Sequence, residues 1–449
     1  MKDILLVLPE IVLLSLTSLL LVVDLFVGRT QKHFTFACGI GALLWTALFV
    51  GAQFTPIGSM PSETAFAALF VADGAATVLK LAILLSAAVA LAYSWTYLKK
   101  HGLDNGEFIA LVLLGTLGMM VIASAASMLT AYLGLELLSL SMYALVALKR
   151  DDRIATEAAM KYFVLGALAS GLLLFGMSII YGATGSISLG GISAALGKAN
   201  PTAVAFGLIF IAAGVSFKLG VVPFHMWVPD VYQGAPTSVT LLIGSAPKLA
   251  AFAVVIRLLV GGLISLAQDW QNMLIILAVL SMAIGNIAAI AQTNIKRMLA
   301  YSTISHMGFV LLGFISADSN GYSSALFYVF AYVLMTLGSF AVIMLLCRYG
   351  FEAENISDFK GLSKRNAWYA FVTLLLMLSL AGIPPMIGFY AKFAVLQAVI
   401  NAGYIELAIV AVLLSLIGAF YYLRIIKLMY FDEPVAGLDV AGVADQVTA

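Results

Sequence analysis

Five ionisable residues lie deep inside long apolar stretches of this 449-residue chain: Glu136, Lys218, Lys248, His306 and Lys392. A charge at the centre of a bilayer costs about 2.5–3.5 kcal/mol on insertion scales, so such residues usually face a protein interior or a wet cavity. A lysine in apolar surroundings releases its proton more readily than one in water, whereas arginine stays protonated. Lysine at three such positions therefore favours proton transfer over anchoring.

Glu136 and Lys218 are predicted to interact with each other. Ser139 is the only polar neighbour within one helical turn that could neutralise Glu136, so a charged partner must come from another helix. Lys218 is at a similar depth in its own apolar stretch. The alternative is a static ion pair that ties two helices together.

The other three residues could exchange protons in turn. An imidazole can accept and donate a proton, and His306 has hydroxyl side chains within one turn, but a lone helical histidine is more often a satisfied core residue. Lys248 lies nearer the start of its helix and could instead extend its ammonium towards the membrane surface. The rings of Phe389 and Phe393 are expected to flank Lys392 and keep its surroundings apolar.

Two further residues are secondary candidates for a proton relay. Lys161 begins a predicted helix near the membrane surface, where snorkelling is an equally good explanation. His225 lies in a segment rich in proline and glycine and could stand at a cytoplasmic channel mouth. Cys38 and Cys347 have no metal-ligand spacing, and no P-loop, dinucleotide fingerprint, metalloprotease motif or histidine pair for haem is present. No cofactor site is therefore expected in this chain.

The composition is that of a membrane protein. The chain is 63% hydrophobic and only 10% charged, with a formal net charge of +1. A soluble domain could not keep so much apolar surface from water. The near-zero net charge gives no reason to expect nucleic acid as a partner. The sequence predicts an all-α polytopic protein in the lipid bilayer.

About 13 transmembrane helices are predicted, since a span needs about 20 apolar residues. Their ranges are 4–27, 34–52, 73–97, 107–124, 128–148, 155–182, 202–220, 239–262, 270–291, 297–316, 321–348, 367–400 and 404–430. Helices 7 and 12 are predicted to be broken, by glycine and proline at 220–229 and 382–388.

Basic residues predict the orientation. Alternate loops contain most of the lysines and arginines, Lys296 and Arg297 among them, whereas the opposite loops contain only Lys2 and Lys198. Because cytoplasmic loops carry the excess of positive charge, the N-terminus is expected to face outward.

The broken helices suggest an internal repeat. They are five helices apart, so helices 4–8 and 9–13 would be two inverted five-helix repeats, each with a break and a lysine in its fourth helix. The predicted domains are 1–104 (helices 1–3), 105–265 (first repeat), 266–431 (second repeat) and 432–449 (a polar tail).

Three motifs, at residues 132–137, 217–236 and 294–308, resemble those of the antiporter-like membrane subunits of respiratory complex I. The resemblance covers most of the chain, strongly from about 105 to 430, and it is greatest to the subunit N (NADH dehydrogenase subunit 2) type. Lysine rather than glutamate at position 392 and the short length favour that type.

The resemblance implies a non-redox, proton-translocating subunit of an NADH:quinone oxidoreductase. In such a subunit Glu136 and Lys218 are the coupling pair, Lys248 and His306 connect a central charged axis, and Lys392 serves the outward half-channel. It also implies other membrane subunits of the complex as partners, including antiporter-like neighbours. NADH, FMN, iron–sulfur clusters and quinone are expected in other subunits. A subunit of a Mrp-type cation/proton antiporter and a purely structural subunit are the alternatives.

The chain departs from the family pattern at its end. Such subunits usually have fourteen helices, but the residues after Phe431 are too few and too polar to span a membrane. The relay candidates are unaffected by this departure.

Overall fold

The structure is a computed structural model that describes residues 2–28, 32–53, 62–103, 105–347 and 351–434. Within these ranges the chain is almost entirely helical, as the apolar segments predict, with one two-stranded antiparallel hairpin. Most of the predicted polar tail, from residue 435 onward, lies outside the described residues. The chain divides into two compact units, residues 1–220 with 234–273 and residues 221–233 with 274–449. The four-part division made from the sequence stays a prediction.

The first unit contains the hairpin and most of the helices before residue 267. They are α1 (Lys2–Leu6), α2 (Leu8–Asp24), α3 (Lys32–Ala52), β1 (Glu63–Ala65), β2 (Phe70–Ala72), α4 (Gly74–His101), α5 (Gly106–Ala123), α6 (Met128–Val146), α7 (Arg153–Thr184), α8 (Leu189–Ala195), α9 (Pro201–Leu219), α11 (Thr237–Gly244) and α12 (Ala246–Val255). A π-helical segment, Ile256–Gly262, continues α12.

The second unit contains the remaining helices. They are α10 (Trp227–Gly234), most of α13 (Ala267–Ile290), α14 (Ile295–Ile315), α15 (Ser319–Leu346), α16 (Leu362–Arg365), α17 (Ala367–Ala381), α18 (Ile387–Asn401) and α19 (Ile405–Phe431). Short 3-10 segments are at Leu196–Lys198, Ile264–Leu266 and Ile356–Phe359.

Eleven helical stretches in the described residues are long and apolar enough to cross a membrane. The predicted spans 4–27 and 367–400 correspond to shorter helices, namely α1 with α2 and α17 with α18. Every predicted span thus coincides with helical structure, while the total of thirteen crossings stays a prediction.

The two predicted breaks are present at the ends of α9 and α17. Each helix ends at a glycine in the left-handed region, Gly220 with φ +80° and Gly382 with φ +81°. Glycine adopts this conformation without the steric penalty of a Cβ atom, which makes it a common helix terminator. The backbone N–H of each glycine donates to carbonyls of the last helical turn.

The predicted eighth span, 239–262, is present as the stretch Thr237–Gly262 but is not one regular helix. The helix is interrupted at Ser245, between α11 and α12, and its last part is π-helical. Pro247 follows the interruption, and a proline in a helix interior removes one backbone hydrogen bond and clashes with the preceding turn. The break places Lys248 in the first turn of α12.

Close helix packing in the first unit depends on small residues. A Cβ atom added at Gly118 of α5 would lie 2.7 Å from the carbonyl oxygen of Gly134 of α6, and one at Gly134 would lie 2.9 Å from that of Gly118. Small residues let backbones approach where lipid provides no hydrophobic drive for helix association. This contact fixes α6, and with it Glu136, against α5.

Buried ion pairs connect other helices. Lys80 of α4 lies 2.5 Å from Glu10 of α2, and both side chains are 5% exposed. Lys296, which the sequence placed in a basic loop, is instead in the first turn of α14, where its ammonium is buried and lies 2.7 Å from Glu354. The partly exposed carboxylate of Glu354 compensates the charge of this buried ammonium.

Candidate proton-transfer sites

Lys218 is held by a serine hydroxyl in the first unit. Its ammonium donates a hydrogen bond of 2.6 Å to Oγ of Ser139 on α6, and that hydroxyl in turn donates to the carbonyl of Leu135. Glu136, one turn before Ser139, acts on the ammonium electrostatically but forms no ion pair within 4 Å. The predicted interaction between Glu136 and Lys218 is thus electrostatic and not a direct ion pair, and Ser139 binds the ammonium. The functional role of this interaction stays a prediction.

Glu136 itself presents an unpaired oxygen. Its Oε1 is buried and has no hydrogen-bond partner among the described residues. A buried acceptor in this state costs about 1–3 kcal/mol. Such groups in native proteins are usually completed by water or serve a function.

Lys248 lies beside the end of α9. The residue is 2% exposed, and its ammonium donates a hydrogen bond of 2.9 Å to the carbonyl oxygen of Leu219, the last residue of that helix. Carbonyls of a terminal helical turn have no intrahelical donor and carry the negative end of the helix dipole. The end of α9 therefore supplies a neutral hydrogen-bond acceptor for Lys248, which is in the same unit as Lys218.

His306 is embedded in a hydroxyl network in the second unit. The residue is 4% exposed. Its Nδ1 is hydrogen-bonded to the hydroxyl of Tyr328 at 2.7 Å and its Nε2 to that of Tyr422 at 3.1 Å. The Tyr422 hydroxyl also bonds to that of Ser302. Both ring nitrogens thus have partners that can donate or accept, so the ring can pass a proton from one side to the other.

Lys392 sits against the break that ends α17. Its ammonium donates to the carbonyl oxygen of Ala381 at 2.9 Å and to Oγ of Ser415 at 2.8 Å. A Cβ atom added at Gly382 would lie 2.8 Å from Cδ of the lysine. The lysine is therefore in direct contact with the end of the broken helix, and the function of this contact stays a prediction.

The aromatic ring over this lysine is not one of the two expected. Phe309 of α14 lies with its ring centroid 5.3 Å from the Lys392 ammonium, whereas Phe393 is 55% exposed. Residue 393 follows the lysine directly, and adjacent helical positions point about 100° apart. The ring that faces this ammonium comes from another helix rather than from a neighbour in the sequence.

The two secondary candidates are outside these clusters. Lys161 is exposed on α7 and forms an ion pair of 2.9 Å with Glu157, one turn earlier. His225 lies between Gly220 and α10, half-buried, with its Nδ1 buried and without a hydrogen-bond partner among the described residues. No group of three or more potential metal ligands occurs in the described part of the chain.

Sequence reasoning missed several polar partners. Ser415 and Tyr422 are both on α19 and are seven residues apart, which puts them on one helical face. Tyr328 is likewise in an otherwise apolar helix, α15. The spacing of Ser415 and Tyr422 indicates that they share a helical face, but it does not show which residues that face meets.

Comparison with known proteins identifies relatives over nearly the whole chain. The family model described as "NADH:quinone oxidoreductase/Mrp antiporter, TM" matches residues 125–418. NADH-quinone oxidoreductase subunit N of Nitrosomonas europaea is 60% identical over 428 residues, which cover 95% of this chain and 88% of the relative. The protein of the same name from Thiobacillus denitrificans is 56% identical and covers 98% and 90%.

Solved structures show the same fold. A chain of respiratory complex I from Thermus thermophilus with bound aureothin matches with a TM-score of 0.82 and 30% identity, covering 97% of this chain and 92% of that one. A chain of the Mrp complex from Dietzia matches with a TM-score of 0.80 but only 24% identity, so that likeness concerns the fold alone.

Proposed function

This chain belongs to the family of NADH-quinone oxidoreductase subunit N, and from that premise we propose that it moves protons across the membrane within such a complex. It is a multi-pass membrane protein whose partners are the other membrane subunits of a respiratory complex. The energy would come from quinone reduction in other subunits, where NADH, FMN, iron–sulfur clusters and quinone would bind. This chain would carry no redox step and would not act alone.

One observation supports this function above the others: the candidate lysines are held by neutral oxygens. Lys218 and Lys392 each donate to a serine hydroxyl, and Lys248 donates to a backbone carbonyl. The buried lysines outside the candidate set, Lys80 and Lys296, instead face carboxylates. A neutral oxygen carries no charge to be left uncompensated when the lysine loses its proton, whereas deprotonation of a lysine in a direct ion pair leaves a carboxylate without its partner, which is costly when that carboxylate is buried.

The proposed roles follow the two units. In the first unit, Glu136 would sense or control the charge on Lys218, with Lys248 receiving the proton. In the second, the His306 network and Lys392 would carry it towards release on the outer side. An N-terminus on the periplasmic side of a bacterial inner membrane is part of the same proposal and depends on the distribution of basic loops.

A Mrp-type antiporter subunit is the second candidate, supported by the shared family description and the shared fold. The relatives at 54–60% identity carry the name of the oxidoreductase subunit, which favours the first candidate.

Purification of the native complex from its host, through a tag on this chain, would decide between them. We expect subunits carrying FMN and iron–sulfur clusters to co-purify, with NADH-driven quinone reduction in the same fraction. Recovery of antiporter subunits without any redox protein would contradict the proposal. An untagged strain processed identically is the control for adventitious binding.

A further inference from the structure

Three polar residues form a stripe along one face of α6. Glu136, Ser139 and Tyr143 are spaced by three and four residues, so their side chains leave the helix on the same side. Ser139 is the acceptor for the Lys218 ammonium. At about 1.5 Å per residue, Tyr143 lies about 10 Å along the axis from Glu136, in the direction of the basic loop that precedes α7.

Tyr143 occupies a notch in α7. Its side chain is only 8% exposed, and its ring packs edge-on against Tyr162 with centroids 4.6 Å apart. A Cβ atom added at Gly166 would lie 1.9 Å from the tyrosine hydroxyl. The absence of a side chain at Gly166 is thus what makes room for a buried hydroxyl at this place.

The hydroxyl has no evident structural reason to be there. The Glu136 carboxylate acts on this hydroxyl electrostatically, and the Ser139 hydroxyl lies within weak hydrogen-bonding range of it, yet no described residue forms a hydrogen bond of good distance and angle with it. Burying a hydroxyl in this way costs about 1–3 kcal/mol, whereas a phenylalanine would pack without that cost. The same helical face also carries the unpaired Oε1 of Glu136.

We propose that Tyr143 is a further proton-relay residue, which with Glu136 binds internal water and carries protons between the side of the α6–α7 loop and the Glu136–Ser139–Lys218 cluster. Two unpaired buried oxygens on one face provide the polar partners that an internal water needs. In each hop the tyrosine oxygen accepts a proton from one water as its own proton passes to the next, so no charge remains on the phenol. The inference depends on the proposed function.

The direct test is Tyr143→Phe in the assembled complex, with Tyr181→Phe, an exposed tyrosine on α7, as the matched control. NADH oxidation and proton uptake are measured in the same membrane vesicles. A positioned proton-transfer group contributes about 10²–10⁴-fold, and water can bypass one relay in part, so a loss of about threefold to tenfold in coupled turnover is expected. Wild-type turnover and pumping in Tyr143→Phe would overturn the inference.

The Glu136→Gln background separates a relay from a packing role. If Tyr143 acts through Glu136, Tyr143→Phe should cause no further loss in Glu136→Gln complexes. An equal fractional loss in both backgrounds would show an independent structural effect and overturn the inference. If Glu136→Gln alone left pumping intact, the proposed function itself would fail, so the two failures are distinguishable.

Gly166→Ala tests the relay role of Tyr143 in a second way. The added methyl group must displace the tyrosine hydroxyl, so it should reproduce the Tyr143→Phe loss. Gly171→Ala on the same helix, where nothing lies within 4 Å of the added atom, should not. Equal behaviour of the two alanine variants, in complexes that assemble to wild-type levels, would also count against the relay.

Discussion

Lys218 and Lys392 share one local arrangement. In each, an ammonium donates to a serine hydroxyl on another helix, Ser139 or Ser415, at 2.6 and 2.8 Å. A hydroxyl can accept from a protonated lysine and can turn to donate to a neutral one. The serine can therefore stay bonded in both protonation states and can donate to the lone pair of a neutral lysine, which a backbone carbonyl cannot do.

We predict that Glu136 and Lys218 are energetically coupled through Ser139. In assembled complexes, Glu136→Gln and Lys218→Met should each lower coupled quinone reduction, because each leaves the other group without its electrostatic partner. The double variant should lose less than the sum of the single variants, with an interaction of about 0.5–3 kcal/mol. Rates of NADH oxidation, converted to free energies, measure this; strict additivity with full assembly would show that the two charges act independently.

Lys392→Arg tests whether position 392 needs a proton or only a positive charge. Arginine keeps the charge but cannot release its proton, so we expect this variant to block proton pumping nearly as strongly as Lys392→Ala. Lys198→Arg, at an exposed position, is the control. Normal pumping by the Arg variant would mean that a fixed charge suffices.

At the scale of single residues, the sequence identified the charged side chains but not the neutral side chains that contact them. Depth in an apolar segment singles out Lys218 or Lys392, because charges there are rare. It cannot single out Ser415, Tyr328 or Phe309, since hydroxyls and rings are common in membrane helices. Their proximity depends on which helices face each other.

The helix ends are the elements that position the lysines. α9 ends at Gly220, two residues after Lys218, and α17 ends at Gly382, against which Lys392 packs. Glycine and proline made both breaks predictable. The interruption at Ser245 was not predicted because Ala246-Pro247 is a single short signal, and proline at the first turn of a helix is also compatible with a normal helix start.

Gly382→Ala should impair turnover far more than Gly403→Ala. Both glycines have positive φ, at +81° and +90°, so each alanine pays a similar backbone penalty of about 1–2 kcal/mol. Only at position 382 would the methyl group meet the lysine, 2.8 Å from its Cδ, whereas nothing lies within 4 Å at 403. Proton pumping and thermal stability, measured for both, check this; equal losses would show that strain alone is responsible.

At the scale of the whole chain, each compact unit contains a lysine held by a serine. Lys218 with Ser139 belongs to the first unit and Lys392 with Ser415 to the second. The sequence suggested a repeat, because two broken helices are five spans apart. The glycines that end α9 and α17, Gly220 and Gly382, agree with this suggestion. The border between the units does not follow a simple cut in the sequence, since residues 221–233 group with the second unit.

The most direct test of proton transfer through this chain is to measure the rate of proton movement and the rate of NADH-driven quinone reduction together, with the purified complex in proteoliposomes. Lys248→Met is the decisive variant, because Lys248 is the most fully buried of the candidate lysines and methionine retains its apolar length. We predict that proton movement and quinone reduction fall together, while electron transfer from NADH to a water-soluble acceptor stays at the wild-type rate. An unchanged proton-to-NADH ratio at full quinone-reduction rate would contradict the account.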